Sequence, residues 1–417
     1  MNNKVYRYAE GLKKMEHNGL VILGCIYNGM NFKMTRECYE ILDEFMKSGM
    51  TVGELMNAFE SEDDSKYFKE ILDWLIEYKL IVESNVQEDY VITFELTNRC
   101  NLQCKHCCME AVEVNSCKDP LSTQDWKNII DKLVGLKINY IILSGGEPMI
   151  RPDFFEIAEY AKNTLKVPLQ LMSNATLINE SNADKLMELF IDFSFSLDGA
   201  DEESCASIRG KGVFNKVMKS IDLLKKRGMD HFSLSFTKTK LNQDKLDKFF
   251  ELCDELGAFP MERNFDFVGR ATKNDYLLAD DVDKQFEAGI SEPSEDGHYY
   301  PEKMPMCISC GATKYKFVIN HEGMIYPCSA LLMSEFNMGN LNKVESIADF
   351  ITERKFMDSE GYRLFEEMHP ATSKYCNDCP VKLYCESCVL YSYLMRHRDN
   401  FDELCDKRKR DLMIVWN

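Results

Sequence analysis

Three patterns of hydrophobic and polar residues follow one another along the chain. At the start, GLVILGCI (19–26) and GMNFKMT (29–35) flank an Asn-Gly turn signal, which predicts a β-hairpin. Three stretches with apolar residues at helical spacing follow, and Thr51 and Glu54 open the second one in the arrangement of a capping box. A short strand, IVES, ends this part. Residues 1–85 therefore predict a small winged-helix-like domain.

From Val91 onwards, short apolar runs alternate with amphipathic stretches. Buried strands are predicted at 91–97, 139–144, 168–173, 191–197, 232–237 and 262–268. Alternating strands and helices are typical of a parallel sheet with helices outside it. We therefore expect an α/β fold with a partial (β/α)6 barrel over residues 91–300. In such barrels the active site lies at the C-terminal ends of the strands.

The regular pattern breaks up beyond about residue 300, where cysteines, Pro, Gly and short polar runs dominate. Such a region cannot build a large core of its own and needs covalent or metal staples. We expect residues 301–417 to form a cysteine-rich domain held together by metal clusters.

Composition narrows the class of protein and of partner. The 417 residues carry a net charge of −19, and residues 1–84 hold 10 basic and 15 acidic residues, so nucleic acid and anionic membranes are unfavourable partners. No apolar run is long enough to span a membrane, and the N-terminus lacks the apolar core of a signal peptide. The sequence therefore predicts a cytoplasmic protein that binds neither nucleic acid nor membrane.

Seventeen cysteines are many for a reducing compartment, and clustered cysteines there indicate metal binding or catalysis. Cys100, Cys104 and Cys107 have the spacing C-x3-C-x2-C directly after the apolar run VITFEL. Three thiolates can hold three irons of a [4Fe–4S] cluster and leave the fourth iron open to a ligand. A structural zinc site, the alternative, would require four protein ligands. Cys108 and Cys117 are interpreted as packing or incidental thiols, with a role as a substrate-side thiol as the alternative.

This spacing, with His106 before the last cysteine, resembles the signature of the radical S-adenosylmethionine (SAM) superfamily. Further segments at strand ends match the family: SGGEP (144–148), MSNAT (172–176), FSLDG (195–199) and IRGKGVF (208–214). The resemblance implies that Cys100, Cys104 and Cys107 hold the cluster that binds SAM. It also implies that SAM is contacted by Gly145, Gly146, Glu147, Asn174, Ser196, Asp198 and Arg209. Ala175 replaces the glycine that the family more often has.

The C-terminal cysteines resemble a SPASM domain, although the last spacing within the motif is two residues where three are usual. The resemblance implies two auxiliary [4Fe–4S] clusters, and therefore three clusters in all. Auxiliary cluster I would be held by Cys310, Cys328 and Cys388, with Cys307 as a candidate fourth ligand. Auxiliary cluster II would be held by Cys376, Cys379, Cys385 and Cys405. Zinc in one or both sites is the alternative, since C-x2-C pairs also suit zinc.

The N-terminal part resembles the small PqqD-like recognition element of enzymes that process ribosomally made peptides. Such an element binds the leader of its peptide as an added β-strand. A winged helix that binds DNA, or a scaffold without a ligand, is the alternative.

Together, the three resemblances imply a radical SAM oxidoreductase that modifies a precursor peptide, most characteristically by joining a cysteine sulfur to a carbon of another residue. An external electron donor such as flavodoxin or ferredoxin is then expected. Carbon–carbon crosslinking, epimerisation and oxidation of a sulfatase-type residue remain open, and no general base is identified. A non-catalytic iron–sulfur or zinc module with a peptide- or DNA-binding arm is the alternative of another class.

Overall fold

The computed structural model describes residues 3–83, 89–277 and 306–416. Its strands are β1 (Tyr6–Tyr8), β2 (Leu12–His17), β3 (Leu20–Cys25), β4 (Asn31–Thr35), β5 (Ile81–Glu83), β6 (Tyr90–Glu95), β7 (Arg99–Cys100), β8 (Val112–Glu113), β9 (Ile138–Ser144), β10 (Leu169–Ser173), β11 (Asp192–Ser196), β12 (Phe232–Thr237), β13 (Phe259–Arg263), β14 (Lys316–Ile319), β15 (Met324–Tyr326) and β16 (Gly339–Asn340). Its α-helices are α1 (Arg36–Ser48), α2 (Val52–Ala58), α3 (Glu62–Glu77), α4 (Thr123–Asp131), α5 (Phe154–Leu165), α6 (Ala183–Leu189), α7 (Glu202–Arg209), α8 (Val213–Lys225), α9 (Leu246–Leu256), α10 (Ile347–Thr352), α11 (Glu360–Met368), α12 (Val389–Arg396) and α13 (Phe401–Leu412). Within these ranges, no helix has the length and apolar character needed to cross a membrane.

The described residues form two compact units. One contains 3–83, 306–314 and 364–416, and the other contains 89–277 and 315–363. The chain after residue 306 contributes to both units, so the units do not follow the three consecutive parts expected from the sequence. The expected boundaries near residues 85 and 300 lie outside the described residues, and the domain limits stay predictions.

The hairpin predicted near the N-terminus is confirmed. Strands β3 and β4 pair antiparallel with Leu23 opposite Phe32, and β2 adds on the other side, giving the order β2-β3-β4. Leu23 and Phe32 belong to a core that also contains buried residues of α1, α2 and α3. The capping box of α2 is also confirmed, because the Thr51 side chain accepts from the backbone of Glu54 while the Glu54 side chain accepts from the backbone of Thr51.

The second unit is built on a nine-stranded sheet in the order β13-β12-β11-β10-β9-β6-β14-β15-β16. Neighbouring strands from β13 to β14 are parallel, which confirms the expected α/β architecture. Five of the six predicted strands begin within one residue of the expected position, whereas β13 begins at Phe259, before the predicted 262. Strands β14 to β16 were not predicted, because their short apolar runs lie in the cysteine-rich region.

Alternation along the strands gives the sheet two different faces. Phe94 and Leu96 of the β6 segment are fully buried in the main core, and the Phe94 ring lies 5.3 Å from that of Trp126 on α4. Successive strand residues point to opposite faces, so Thr93 and Glu95 point away from the helices. We call this second side the inner face of the sheet.

Candidate active site

The cysteine loop, residues 100–108, follows the C-terminal end of β6, where a parallel barrel places its chemistry. Cys100 and Cys104 are buried, and Cys107 is half-buried. Burial raises the pKa of Cys100 to about 12, and the nearby charges of Cys104 and Cys107 raise it too. Burial likewise raises the pKa of Cys104, with Cys107 again contributing. The structure therefore brings the three predicted cluster ligands together.

Three cysteines on one loop suit a cluster by their number. Among the described residues, no group of three or more His, Cys, Asp or Glu side chains is placed to hold a single metal ion. Zinc requires every sulfur at about 2.3 Å from the same ion. In a [4Fe–4S] cluster each thiolate binds a different iron, so neighbouring thiols need not meet at one point.

The two glycines after β9 allow one backbone to pack on another. A Cβ on Gly145 would lie 2.6 Å from the carbonyl oxygen of Thr97, and one on Gly146 would lie 2.3 Å from that of Arg99. The Gly146 N–H donates to the Thr97 carbonyl at 2.7 Å. The close approach that these glycines permit is therefore to the chain leading into the cysteine loop.

Glu147 is fully buried, and the protein itself satisfies its carboxylate. It accepts hydrogen bonds from the Asn174 N–H at 2.8 Å, the Met149 N–H at 3.2 Å and the Ser173 hydroxyl at 3.0 Å. Burial raises the pKa of Glu147 to about 7, against the lowering effect of these donors. Its side chain thus ties the end of β9 to the end of β10, and its contact with SAM stays a prediction.

Asn174 joins the end of β10 to the cysteine loop. Its side-chain N–H donates to the Asn101 side-chain oxygen at 2.9 Å and to the Cys100 sulfur at 3.7 Å. The next residue, Ala175, has φ of +58°, a left-handed conformation that favours glycine. The backbone therefore keeps the geometry of the family's glycine although the residue is alanine.

Asp198 is the electrostatic centre of the site. Its carboxylate contacts the His106 ring, lies 2.6 Å from Nε of Arg209, and accepts from the Thr237 N–H at 2.6 Å. Burial would raise the pKa of Asp198, but the charge of Arg209 and the contact with His106 outweigh it and hold the pKa well below its usual range. Arg209 also donates to the Cys104 sulfur at 3.7 Å.

The sequence-predicted SAM residues Asp198 and Arg209 are therefore neighbours, and both adjoin the cysteine loop. Ser196, the last residue of β11, is half-buried beside Ser235 of β12. The three positions lie at the C-terminal edge of the parallel strands. Their contacts with SAM stay predictions.

A segment that the sequence motifs did not indicate holds the cysteine loop from the other side. Arg270 donates to the carbonyl oxygen of Cys104 at 3.0 Å and to that of Ala111, and its N–H donates to the Cys107 carbonyl at 2.9 Å. The Asn274 side chain donates to the Lys105 carbonyl at 3.0 Å. The cysteine loop lies more than 150 positions earlier in the chain than Arg270. Only the fold brings the two segments together, so no local sequence pattern could have revealed these contacts.

Four C-terminal cysteines lie together within the first unit. The charges of Cys376 and Cys379 raise the pKa of both Cys385 and Cys405, after the larger effect of burial. Burial raises the pKa of Cys385 to about 12, and the Arg408 guanidinium donates to the Cys385 carbonyl oxygen at 2.7 Å. These four thiols are the set predicted for auxiliary cluster II, and their proximity fits that assignment.

The set predicted for auxiliary cluster I is not brought together in one unit. Cys310 and Cys388 belong to the first unit and Cys328 to the second. Cys307 is 2% exposed, and its thiol donates to the carbonyl oxygen of Cys25 at 3.6 Å. Burial raises the pKa of Cys307 to about 12, and the charge of the nearby Cys25 also raises it. The ligand set of this cluster stays a prediction.

Cys108 and Cys117, interpreted above as non-ligands, differ in environment. Burial raises the pKa of Cys108 to about 12, whereas Cys117 is exposed. A half-buried thiol with a raised pKa, such as Cys108, is a poor nucleophile. Both interpretations stay predictions.

Replacing Gly269 tests the support of the cysteine loop. A Cβ there would lie 2.2 Å from the carbonyl oxygen of Cys108, at a φ of +61°. Gly257 is a matched control, because its φ is +67° and no atom lies within 4 Å of an added Cβ. Both Gly→Ala variants should lose about 1–2 kcal/mol of unfolding free energy from the left-handed backbone. Only Gly269→Ala should also lose the iron of one cluster after anaerobic reconstitution; equal iron contents would contradict this.

Replacing Asp198 tests its role as the centre of the site. Asp198→Ala leaves Arg209 buried without its partner, which should cost about 3–5 kcal/mol of unfolding free energy in urea titrations. The folded-state pKa of Asp198 lies below its ordinary value of 3.8. Its stabilising contribution is therefore complete above that pH and declines as the pH falls further. A difference below 1 kcal/mol between wild type and variant at neutral pH would show that the ion pair is not needed.

Comparison with known families agrees with this geometry. Residues 94–253 match the radical SAM superfamily, and residues 310–380 match the SPASM iron–sulfur cluster-binding domain. These matches confirm two of the three resemblances and favour an enzyme over a non-catalytic module. The PqqD-like resemblance of the N-terminal part is not tested by them.

Relatives include the mycofactocin maturase MftC of Mycolicibacterium smegmatis, which is 29% identical over 315 residues, covering 71% of this chain and 77% of that protein. The AdoMet-dependent heme synthase of Methanosarcina barkeri is 28% identical over 340 residues, covering 73% and 92%. Among solved structures, Streptococcus suis SuiB bound to S-adenosylmethionine has a TM-score of 0.55 at 16% identity, covering 94% of this chain and 97% of that one.

The SuiB likeness establishes a shared fold over nearly the whole chain, and the two family matches cover the cysteine loop and part of the C-terminal cysteine region. The chain therefore contains a radical SAM domain and a SPASM domain, and it is an enzyme whose cofactors are S-adenosylmethionine and [4Fe–4S] clusters.

Proposed function

We propose that this enzyme modifies a ribosomally made precursor peptide by forming thioether links between cysteine sulfurs and carbons of other residues. The observation that carries the proposal is the antiparallel sheet β2-β3-β4 ahead of the radical SAM domain. An edge strand can pair with an extended peptide through backbone hydrogen bonds. The proposal therefore assigns leader recognition to this sheet and chemistry to the barrel.

The comparisons support a peptide substrate. MftC is named a maturase, and SuiB, which shares the fold, has also been solved bound to its precursor peptide SuiA. The heme synthase relative acts on a substrate of another kind at similar sequence identity. The proposal of a peptide substrate therefore rests on the N-terminal sheet rather than on sequence identity within the barrel.

The cofactor assignments carry over as part of this proposal. Cys100, Cys104 and Cys107 would hold the cluster that binds SAM, and the bound cofactors would supply a 5′-deoxyadenosyl radical able to remove a hydrogen atom from a carbon of the substrate. The carbon–sulfur bond would then form as the cysteine loses its proton, and an auxiliary cluster would accept the surplus electron. Arg209, charged and buried beside the cysteine loop, suits the carboxylate of SAM. A small redox protein such as flavodoxin or ferredoxin provides the electrons.

Incubation with a peptide tests the proposed reaction. The probe is the precursor encoded by a short cysteine-rich open reading frame beside the gene, supplied with SAM and reductant to the anaerobically reconstituted enzyme. The peptide mass should fall by two hydrogen atoms per link, and the linked cysteines should no longer react with iodoacetamide. An unchanged peptide mass beside stoichiometric 5′-deoxyadenosine would exclude crosslinking.

Cysteine variants provide the matched control for this reaction. Cys104→Ala removes one of three cluster ligands and should abolish SAM cleavage. Cys108→Ala should leave SAM cleavage intact. Retained cleavage in the first variant would contradict the ligand assignment.

Proline substitution at the edge of the sheet tests leader binding. The hydrogen bond from the Ile26 N–H to the Gly11 carbonyl sets the register of β2 against β3, so the N–H of Lys14 points outward from β2. Proline removes that donor without breaking the sheet's own ladder. Lys14→Pro should weaken precursor binding by about fivefold or more, in a protein with unchanged circular dichroism. Unchanged affinity would exclude leader addition at the β2 edge.

A further inference from the structure

Glu95 is a buried acidic residue that the site described above does not use. It is the last residue of β6, it points to the inner face, and its side chain is 1% exposed. Oε1 accepts a hydrogen bond from the Ser329 hydroxyl at 2.7 Å. Oε2 accepts no hydrogen bond within the described ranges, although the Ser144 hydroxyl lies near the carboxyl group. Buried polar atoms are almost always hydrogen-bonded, so an unpartnered carboxyl oxygen at this position requires an explanation.

The surroundings of Glu95 favour its neutral form. Within the parts of the chain that the structure describes, no Lys, Arg or His side chain forms an ion pair with it, and burial raises its pKa, opposed only by hydroxyl groups of Ser329 and Ser144. A buried carboxyl without a countercharge takes up a proton rather than remaining ionised. Because Oε1 already accepts from Ser329, the proton belongs on Oε2, which then becomes a hydrogen-bond donor.

Two hydroxyl groups lie beside Glu95. Ser144 is its register partner on β9, and Ser329 donates to its Oε1. Further serines face inward on β11 and β12, because the aromatic and aliphatic residues of those strands face the helices. These are Ser194, Ser196, Ser233 and Ser235, and β9 and β10 separate them from β6. The hydroxyl neighbours of Glu95 suit a ligand with uncharged carbonyl and N–H groups, such as a peptide backbone.

We propose that Glu95, with Ser144 and Ser329, forms a substrate subsite in which Oε2 donates a hydrogen bond to a backbone carbonyl oxygen of the peptide segment being modified. This subsite rests on the proposed function, and none of its three residues is among the residues assigned to leader binding or predicted to contact SAM. It binds the core of the precursor, the part that must reach the C-terminal end of the strands. Glu95 is thus assigned as a substrate-binding residue.

Binding measurements with two variants test the subsite. The probe is a leaderless core peptide, acetylated and amidated at its ends, with its affinity for the reconstituted full-length enzyme measured by fluorescence anisotropy. Glu95→Ala should weaken this affinity about tenfold, the effect of losing one good hydrogen bond to a buried group. Glu95→Gln should stay within about threefold of wild type, because the amide is neutral and still donates. Equal losses in both variants would overturn the assignment of a neutral donor.

Thr93→Val is the matched control, because Thr93 also points inward from β6 and is buried. Its core-peptide affinity should equal that of wild type. If Glu95 were purely structural, Glu95→Ala would have a lower melting temperature and a lower iron content than wild type. The ratio of its core-peptide affinity to its full-precursor affinity would equal that of wild type. That result would overturn the subsite.

The experiment separates failure of the subsite from failure of the proposed function. If wild type crosslinks the precursor and Glu95→Ala binds the core peptide as tightly as wild type, the subsite is wrong and the proposed function stands. If wild type cleaves SAM but neither binds nor modifies any precursor or core peptide, the proposed function is wrong, and the subsite falls with it.

Discussion

The carboxylate of Asp198 joins three parts of the chain that are far apart in sequence: the cysteine loop through His106, the end of α7 through Arg209, and the end of β12 through the Thr237 N–H. A buried carboxylate is expensive unless it is paired and hydrogen-bonded, and here each requirement is met by a different element. The cysteine loop is therefore held in position only when the ends of the strands are aligned. Because Arg209 also reaches Cys104, the same ion pair sets the electrostatic surroundings of a predicted cluster ligand.

The barrel buries three carboxyl groups near this edge, each in a different environment. Asp198 is paired with a guanidinium and has a depressed pKa. Glu147 has no countercharge, but N–H and hydroxyl donors occupy its oxygens, and its pKa rises to about 7. Glu95 has one hydroxyl donor and one oxygen without a partner in the described part of the chain. The first two tie elements of the protein to each other, whereas the third leaves a polar group for something outside the chain.

Backbone contacts provide a second constraint on the cysteine loop, because glycines enclose it on two sides. Gly146 packs on Arg99 before the loop, and Gly269 packs on Cys108 at its end. At each contact the glycine lies so close to a backbone carbonyl group that no side chain would fit between them. The loop is therefore positioned by its carbonyl groups as well as by its cysteines. Together with Arg270, this explains how a loop with little regular structure can keep three thiols in fixed relation. The position of the loop thus depends in part on Gly269 and Arg270, which no ligand motif contains.

The sequence by itself determined the parallel strands, the N-terminal hairpin and the spacing of the cysteines, because hydrophobic periodicity and ligand spacing are local properties of a chain. It also marked Asp198 and Arg209 as important, but not as partners of one another. Only the tertiary structure decided that Glu147 is satisfied internally, that Arg270 holds the cysteine loop, and that Cys307 lies beside Cys25. These facts depend on contacts between residues tens to hundreds of positions apart. Such contacts arise when strands align and burial forces each polar group to find a partner, and no local pattern records them.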